Sequence, residues 1–194
     1  MTAHDAPILD LFRECGALLE GHFLLTSGLH SPKYLQCALV LQDPARAGRL
    51  CSELARTFAD EKIDVVIGPA IGGIIMAYEL ARALKAKAIY AERVEGKMTL
   101  RRGFALEAGQ RVVLVEDVVT TGGSLREVQE LAAAAGATVV AVASLVDRTS
   151  GRDCGCGMAL ESLVKVDVPT YQSENCPLCA AGVPLVSPGR TGKK

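Results

Sequence analysis

Residues 112–115 read Val-Val-Leu-Val, and Glu116-Asp117 follow without a break. Four aliphatic residues in a row leave no polar face, so a strand here must be covered on both sides. That requirement points to a parallel sheet between helical layers, not to an open antiparallel sheet. The chain continues Val118-Val119-Thr120-Thr121-Gly122-Gly123-Ser124, and helical apolar spacing opens at Leu125. A buried strand therefore delivers an acidic pair and a glycine-hydroxyl loop to the start of a helix.

The same order recurs along the chain. Ile63–Ile67 is a β-rich run, Gly68-Pro69-Ala70-Ile71-Gly72-Gly73 a glycine loop, and Ile74–Leu84 a helix. Ala86–Ala91 is another strand. Leu125, Val128, Leu131, Ala132 and Ala135 mark the helix after the acidic strand, closed by Gly136. Thr138–Val146 is a further strand, ending at Asp147-Arg148. Asp43-Pro44 is a helix start with Asp as N-cap, and Leu50, Leu54 and Phe58 fall on one face. This alternation predicts an α/β core over 41–150, a central mostly parallel sheet flanked by helices.

The ends differ from the middle. An amphipathic helix over Ile8–Leu19, a run at His22–Leu25, a turn at Thr26-Ser27-Gly28 and a segment Tyr34–Val40 predict a small hood over 1–40. Residues 151–194 form a Cys- and Pro-rich segment, with Gly189–Lys194 expected to fray. At 194 residues the whole reads as a single domain. Hydrophobic residues make up 49% but aromatics only 4%, so the core must be aliphatic. A net charge of −1 gives no electrostatic case for bulk nucleic-acid binding. No apolar stretch is long enough for a membrane span, and Met1–Asp10 lacks the pattern of a secretory signal. Seven cysteines without an export signal are expected as reduced thiols in the cytoplasm.

A loop such as 120–124 can hold a phosphate with backbone N–H groups, hydroxyls and a helix N-terminus. A Ser/Thr helix cap accounts for the hydroxyls alone. It leaves Glu116 and Asp117 unexplained, because adjacent carboxylates at the end of a buried strand repel and lose hydration. Holding the hydroxyls of a sugar offsets that cost. Together these features describe a site for a ribose bearing a 5-phosphate, at the carboxyl end of the strand where open α/β sheets bind ligands. The glycine loop at 68–73 is either a tight turn or a second anion cradle. The charged run 92–103 is either a solvated loop or a mobile lid, with Gly96 and Gly103 as pivots.

The 112–124 run is similar to the phosphoribosyl pyrophosphate signature of the type I phosphoribosyltransferases. Phe23–Gly28 with Ser31-Pro32-Lys33-Tyr34 resembles the hood of the orotate-specific family, and 68–73 resembles its pyrophosphate loop. Arg148 sits where that family places an orotate-binding arginine. The resemblance spans about residues 10–150. It implies the type I phosphoribosyltransferase fold with its N-terminal hood. It also implies Mg²⁺, and transfer of ribose 5-phosphate from phosphoribosyl pyrophosphate to N1 of orotate, as in pyrimidine biosynthesis. A homodimer is implied, in which one subunit's lid reaches its neighbour's site, with no nucleic-acid or membrane partner.

By resemblance the donor is held by Glu116, Asp117, Val118, Val119, Thr120, Thr121, Gly122, Gly123, Ser124, Ile71, Gly72, Arg93 and Lys97. Orotate is held by Tyr34, Thr120 and Arg148. Catalysis falls to Lys97, Arg93, Asp117 and Glu116. The chain departs from the family pattern at Thr26, Gly72, Val94 and Thr99, where cationic residues are common. Arg101, Arg102 and His30 are the nearest replacements. A purine phosphoribosyltransferase, or a non-catalytic regulator that senses the same donor, would share most of these loops. Finally, Cys154-Gly155-Cys156 and Cys176-Pro177-Leu178-Cys179 have spacing that can make a four-thiolate structural zinc site. Reduced or core cysteines are the alternative, as for Cys15, Cys37 and Cys51.

Overall fold

A computed structural model describes residues 5–25 and 28–188. Thr26, Ser27 and Gly189–Lys194, singled out above, lie outside the described residues. The elements run α1 (Asp5–Glu14), β1 (Leu18–Leu24), β2 (His30–Leu35), α2 (Ala38–Leu41), α3 (Pro44–Ala55), β3 (Val65–Pro69) and α4 (Gly72–Leu84). They continue β4 (Lys87–Val94), β5 (Lys97–Leu100), β6 (Arg111–Val119), α5 (Gly123–Ala134), β7 (Thr138–Asp147), β8 (Leu160–Lys165) and α6 (Pro177–Ala180).

Six strands form one sheet in the order β5-β4-β3-β6-β7-β8, parallel throughout except for β5. Side chains of successive residues point to opposite faces. Val113 and Val115 accordingly join Val66, Leu145 and Leu163 under α1, α3 and α4. Val112 and Leu114 join Val65 and Ile67 under Leu125, Val128 and Ala132 of α5. The two-sided burial demanded by Val112–Val115 is thus met by helices on both faces. At the head of α3, Asp43 Oδ1 accepts from the Ala45 and Arg46 N–H groups at 2.9 and 3.4 Å, and Pro44 starts the helix.

Four segments differ from the sequence expectation. First, α1 ends at Glu14, and Leu18–Leu19 already belong to β1, because Gly16 takes a left-handed conformation that breaks the helix. Second, the segment Tyr34–Val40 is divided: β2 ends at Leu35, and Ala38–Leu41 is a helical turn whose Val40 and Leu41 enter the core. Third, the charged run 92–103 is no irregular loop. It is a hairpin in which Glu92 pairs with Thr99 and Val94 with Lys97, closed at Glu95-Gly96, both with positive φ. Fourth, β8 comes from beyond residue 150 and forms the edge of the main sheet beside β7. The hood strands β1 and β2 make a separate antiparallel pair.

Candidate active site

The path from β3 through α4 runs to β4 on one side, and that from β6 through α5 runs to β7 on the other. Adjacent strands β3 and β6 therefore flank a topological switch point. The crevice outside their carboxyl ends is where an open α/β sheet binds its ligand. The loop 120–124, which can hold a phosphate, and the glycine loop 68–73, a turn or a second cradle, both leave their strands at this end.

The loops meet at Asp117. A Cβ on Gly72 would stand 2.6 Å from Asp117 Oδ1, so the carboxylate lies against the first turn of α4, where the helix dipole favours negative charge. This packing gives a physical reason for Gly72: a larger residue must push the carboxylate aside. Asp117 Oδ1 also accepts from the Val118 N–H at 3.0 Å. Burial nevertheless raises its pKa above the ordinary aspartate value, the backbone hydrogen bond opposing the shift. Glu116 is pushed up to about 7, first by burial and then by the charge of Asp117, while a hydrogen bond from Ser124 works in the opposite sense. Both acids are held at a cost, as the sequence implied.

That cost has a measurable sign. Between the ordinary glutamate value of 4.5 and about 7, folded Glu116 keeps a proton that the unfolded chain has released. Stability of the ligand-free protein is therefore expected to fall as pH rises from 4.5 to 7, by roughly 3 kcal/mol, and to level off above. Urea titrations across this range check it. The fall should be much smaller in Glu116→Gln, and an equal fall in both proteins would contradict the assignment.

The phosphate-type loop is shaped from outside. Gly122 has φ 72°, and a Cβ there would overlap the Cys154 carbonyl, so only glycine fits. Arg126, which sequence reasoning missed, donates to the Thr121 and Cys154 carbonyls, each at 2.7 Å. It clamps the loop to the segment after β7. Thr120 and Thr121 are exposed, while the Val119 side chain is core. Any donor contact at Val119 must come from its backbone, and the Val119 carbonyl accepts from the Arg148 N–H at 2.8 Å.

Hood and sheet converge on the same crevice. The charges of Asp117 and Arg148 both act on the Tyr34 hydroxyl, whose pKa is raised chiefly by burial and then by Asp117. The Arg148 guanidinium is half-buried, and desolvation lowers its pKa. Among the described residues no carboxylate pairs with it. Tyr34, Asp117 and Arg148 thus come from three distant parts of the chain to one place.

Arg93 and Lys97 stand apart, on the β4–β5 hairpin. Arg93 donates to Glu127 Oε1 of α5 at 2.8 Å and to the Gly96 carbonyl at 2.7 Å, and Lys97 is exposed. The replacements suggested for the missing cations are engaged elsewhere. Arg101 and Arg102 pair with Glu92 at 3.9 and 3.2 Å, and His30 is buried against His22. The four-cysteine zinc set is also divided. Cys154 and Cys156 pack beneath α5, whereas Cys176 and Cys179 lie beside His22 and His30. A cavity of about 420 Å³ lies between α1, the hood and the ends of β7 and β8.

An acidic pair and two glycine loops at the switch point of a parallel sheet, beside a hood, are the arrangement expected of a sugar-phosphate transferase of the α/β class. Family comparison agrees: the phosphoribosyl transferase domain matches residues 40–154. Orotate phosphoribosyltransferase of Carboxydothermus hydrogenoformans is 60% identical over 92% of this chain and 94% of its own. That of Thermotoga maritima is 47% identical over 96% and 100%. The crystal structure of orotate phosphoribosyltransferase from Aeropyrum pernix superposes with a TM-score of 0.70 at 29% identity, covering 82% of this chain and 93% of that one. The chain belongs to the orotate phosphoribosyltransferase family.

Proposed function

We propose that this protein transfers ribose 5-phosphate from phosphoribosyl pyrophosphate to orotate, giving orotidine 5′-phosphate and pyrophosphate. The observation that carries the reading is the convergence of Asp117, Tyr34 and Arg148 at the switch point. Breaking the bond from the ribose anomeric carbon to pyrophosphate develops positive charge on the ring. Glu116 and Asp117 hold the ribose hydroxyls and favour that charge, and residues 120–124 hold the 5-phosphate. Arg148 pairs with the carboxylate of orotate, flanked by Tyr34 and Thr120. Orotate arrives as an anion and requires no activating base.

Arg93 and Lys97 cover the departing pyrophosphate when the hairpin moves over the crevice. The Arg93–Glu127 pair is exposed, and such pairs are weak restraints, so it does not lock the hairpin. The acidic pair, Glu116 and Asp117, fits Mg²⁺, which prefers hard oxygen donors and is held by one or two carboxylates together with substrate phosphates. When bound with the donor, the ion neutralises charge on the leaving group.

The active form is a homodimer. Ile75 and Tyr78 are exposed apolar residues at i and i+3 on α4. In such a dimer one copy's hairpin serves as the lid over its neighbour's crevice. Sedimentation that returns only the 20.4 kDa chain would refute the dimer. The free thiols of all seven cysteines suit a reducing cytoplasm. Among the described residues no helix is long and apolar enough to cross a membrane.

The deciding experiment incubates purified protein with phosphoribosyl pyrophosphate, Mg²⁺ and a panel of bases. Loss of orotate absorbance, with adenine, guanine and hypoxanthine unchanged, is the expected result. Consumption of a purine in preference to orotate would overturn the proposal.

A further inference from the structure

The cysteines left over by the reaction form a second constellation with the two hood histidines. His22 lies on β1, His30 on β2, Cys176 just before α6 and Cys179 within it. Their four ligand atoms all lie within 4.8 Å of one another. His22 Nε2 is 2.8 Å from His30 Nδ1, 3.5 Å from Cys176 Sγ and 3.7 Å from Cys179 Sγ. Cys179 Sγ is 3.3 Å from His30 Nδ1. Sulfur at ~2.3 Å and nitrogen at ~2.0 Å from a tetrahedral zinc ion lie ~3.3–3.8 Å from one another. Three of these four separations fall in that range, and the 2.8 Å histidine pair must open by about half an ångström.

We propose that His22, His30, Cys176 and Cys179 bind one structural zinc ion. The chemistry suits the metal, since two imidazoles and two thiolates select zinc over the hard cations. The orientation is prepared as well. His22 Nδ1 is 2.8 Å from the Val183 carbonyl, which can only accept, so Nδ1 carries the proton and the Nε2 lone pair faces the cluster. His22, His30 and Cys176 are buried and Cys179 is exposed, so the cluster has a way in from solvent.

The location gives the ion a task. Cys176 and Cys179 belong to a segment that crosses the hood on both sides of the cluster. Leu24 and His22 exchange hydrogen bonds with Val186 at 2.9 and 2.8 Å, and His30 and Tyr171 bond reciprocally at 2.9 Å. A two-stranded sheet such as β1–β2 is marginal by itself. A metal joining both strands to a segment about 150 residues further on supplies the closure that its few apolar residues cannot. It also fixes β2, which carries Tyr34 into the active-site crevice.

The test is zinc content of the full chain, purified under reducing conditions without added metal, together with cobalt reloading. About one zinc per chain is expected. Cys176→Ser and Cys179→Ser should lose it, and Cys154→Ser with Cys156→Ser should keep it. Should the first pair fail to fold, the wild-type protein still decides. After chelation, Co²⁺ should give the intense visible bands of a tetrahedral site with thiolate charge transfer, and melting should shift back upward. Reduced wild-type protein that holds no zinc and takes up no Co²⁺ in this form overturns the proposal, whether or not Cys176 and Cys179 then form a disulfide. Retention of zinc by Cys179→Ser together with its loss from Cys154→Ser overturns it too.

Discussion

Asp117→Asn is expected to lower kcat/KM for orotate transfer by about 10²–10³-fold, the usual range for removing one charge aimed at the transition state. The same change should leave the melting temperature at or above that of the wild type. The two effects have one origin. Asp117 lies between a second carboxylate and the first turn of α4, and burial already disfavours its charge. Asparagine has nearly the same shape and still accepts from the Val118 N–H. It removes the repulsion with Glu116 but supplies no negative charge when the ribose ring becomes cationic. A loss of kcat with donor KM little changed is the expected split, because the charge matters most in the transition state. Full activity would show that Asp117 only packs against α4. A large drop in melting temperature would show that its role is to hold the two loops together.

The strand that carries Asp117 was legible because an all-aliphatic run admits few environments. The α3 start was legible because Asp43-Pro44 is a local signal, complete within a few residues. What escaped depends on partners far away in the chain. In the β4–β5 hairpin, alternation of Met98 and Leu100 toward α5 is masked by the charges on the other face. Strand β8 follows a cysteine-glycine loop, so nothing local announces that Leu160–Lys165 completes the sheet. Spacing within 154–179 suggests that four cysteines act together, yet the side chains beside Cys176 and Cys179 are histidines about 150 residues earlier. Arg126 carries no motif; its importance comes from two carbonyls that the fold brings within reach.

In the proposed reaction, acceptor choice turns on Arg148. Its guanidinium is half-buried beside Tyr34 and has no carboxylate partner among the described residues, although burying an unpaired cation is unfavourable. In that reaction orotate would supply the missing anion, through a carboxylate that can accept two parallel N–H bonds. Arg148→Ala is therefore expected to reduce kcat/KM for orotate by about 10²–10³-fold, the scale of losing one partner of a desolvated charge pair. The KM for phosphoribosyl pyrophosphate should stay close to wild type. Arg148→Lys keeps the charge but not the planar fork, so it should recover only part of the loss. Uracil isolates the interaction because it lacks the carboxylate. With uracil as acceptor, wild type and Arg148→Ala should be about equally slow, and the preference for orotate over uracil should collapse in the variant. An equal loss with both bases would mean that Arg148 supports the crevice through the Val119 carbonyl and Tyr34, and does not read the acceptor.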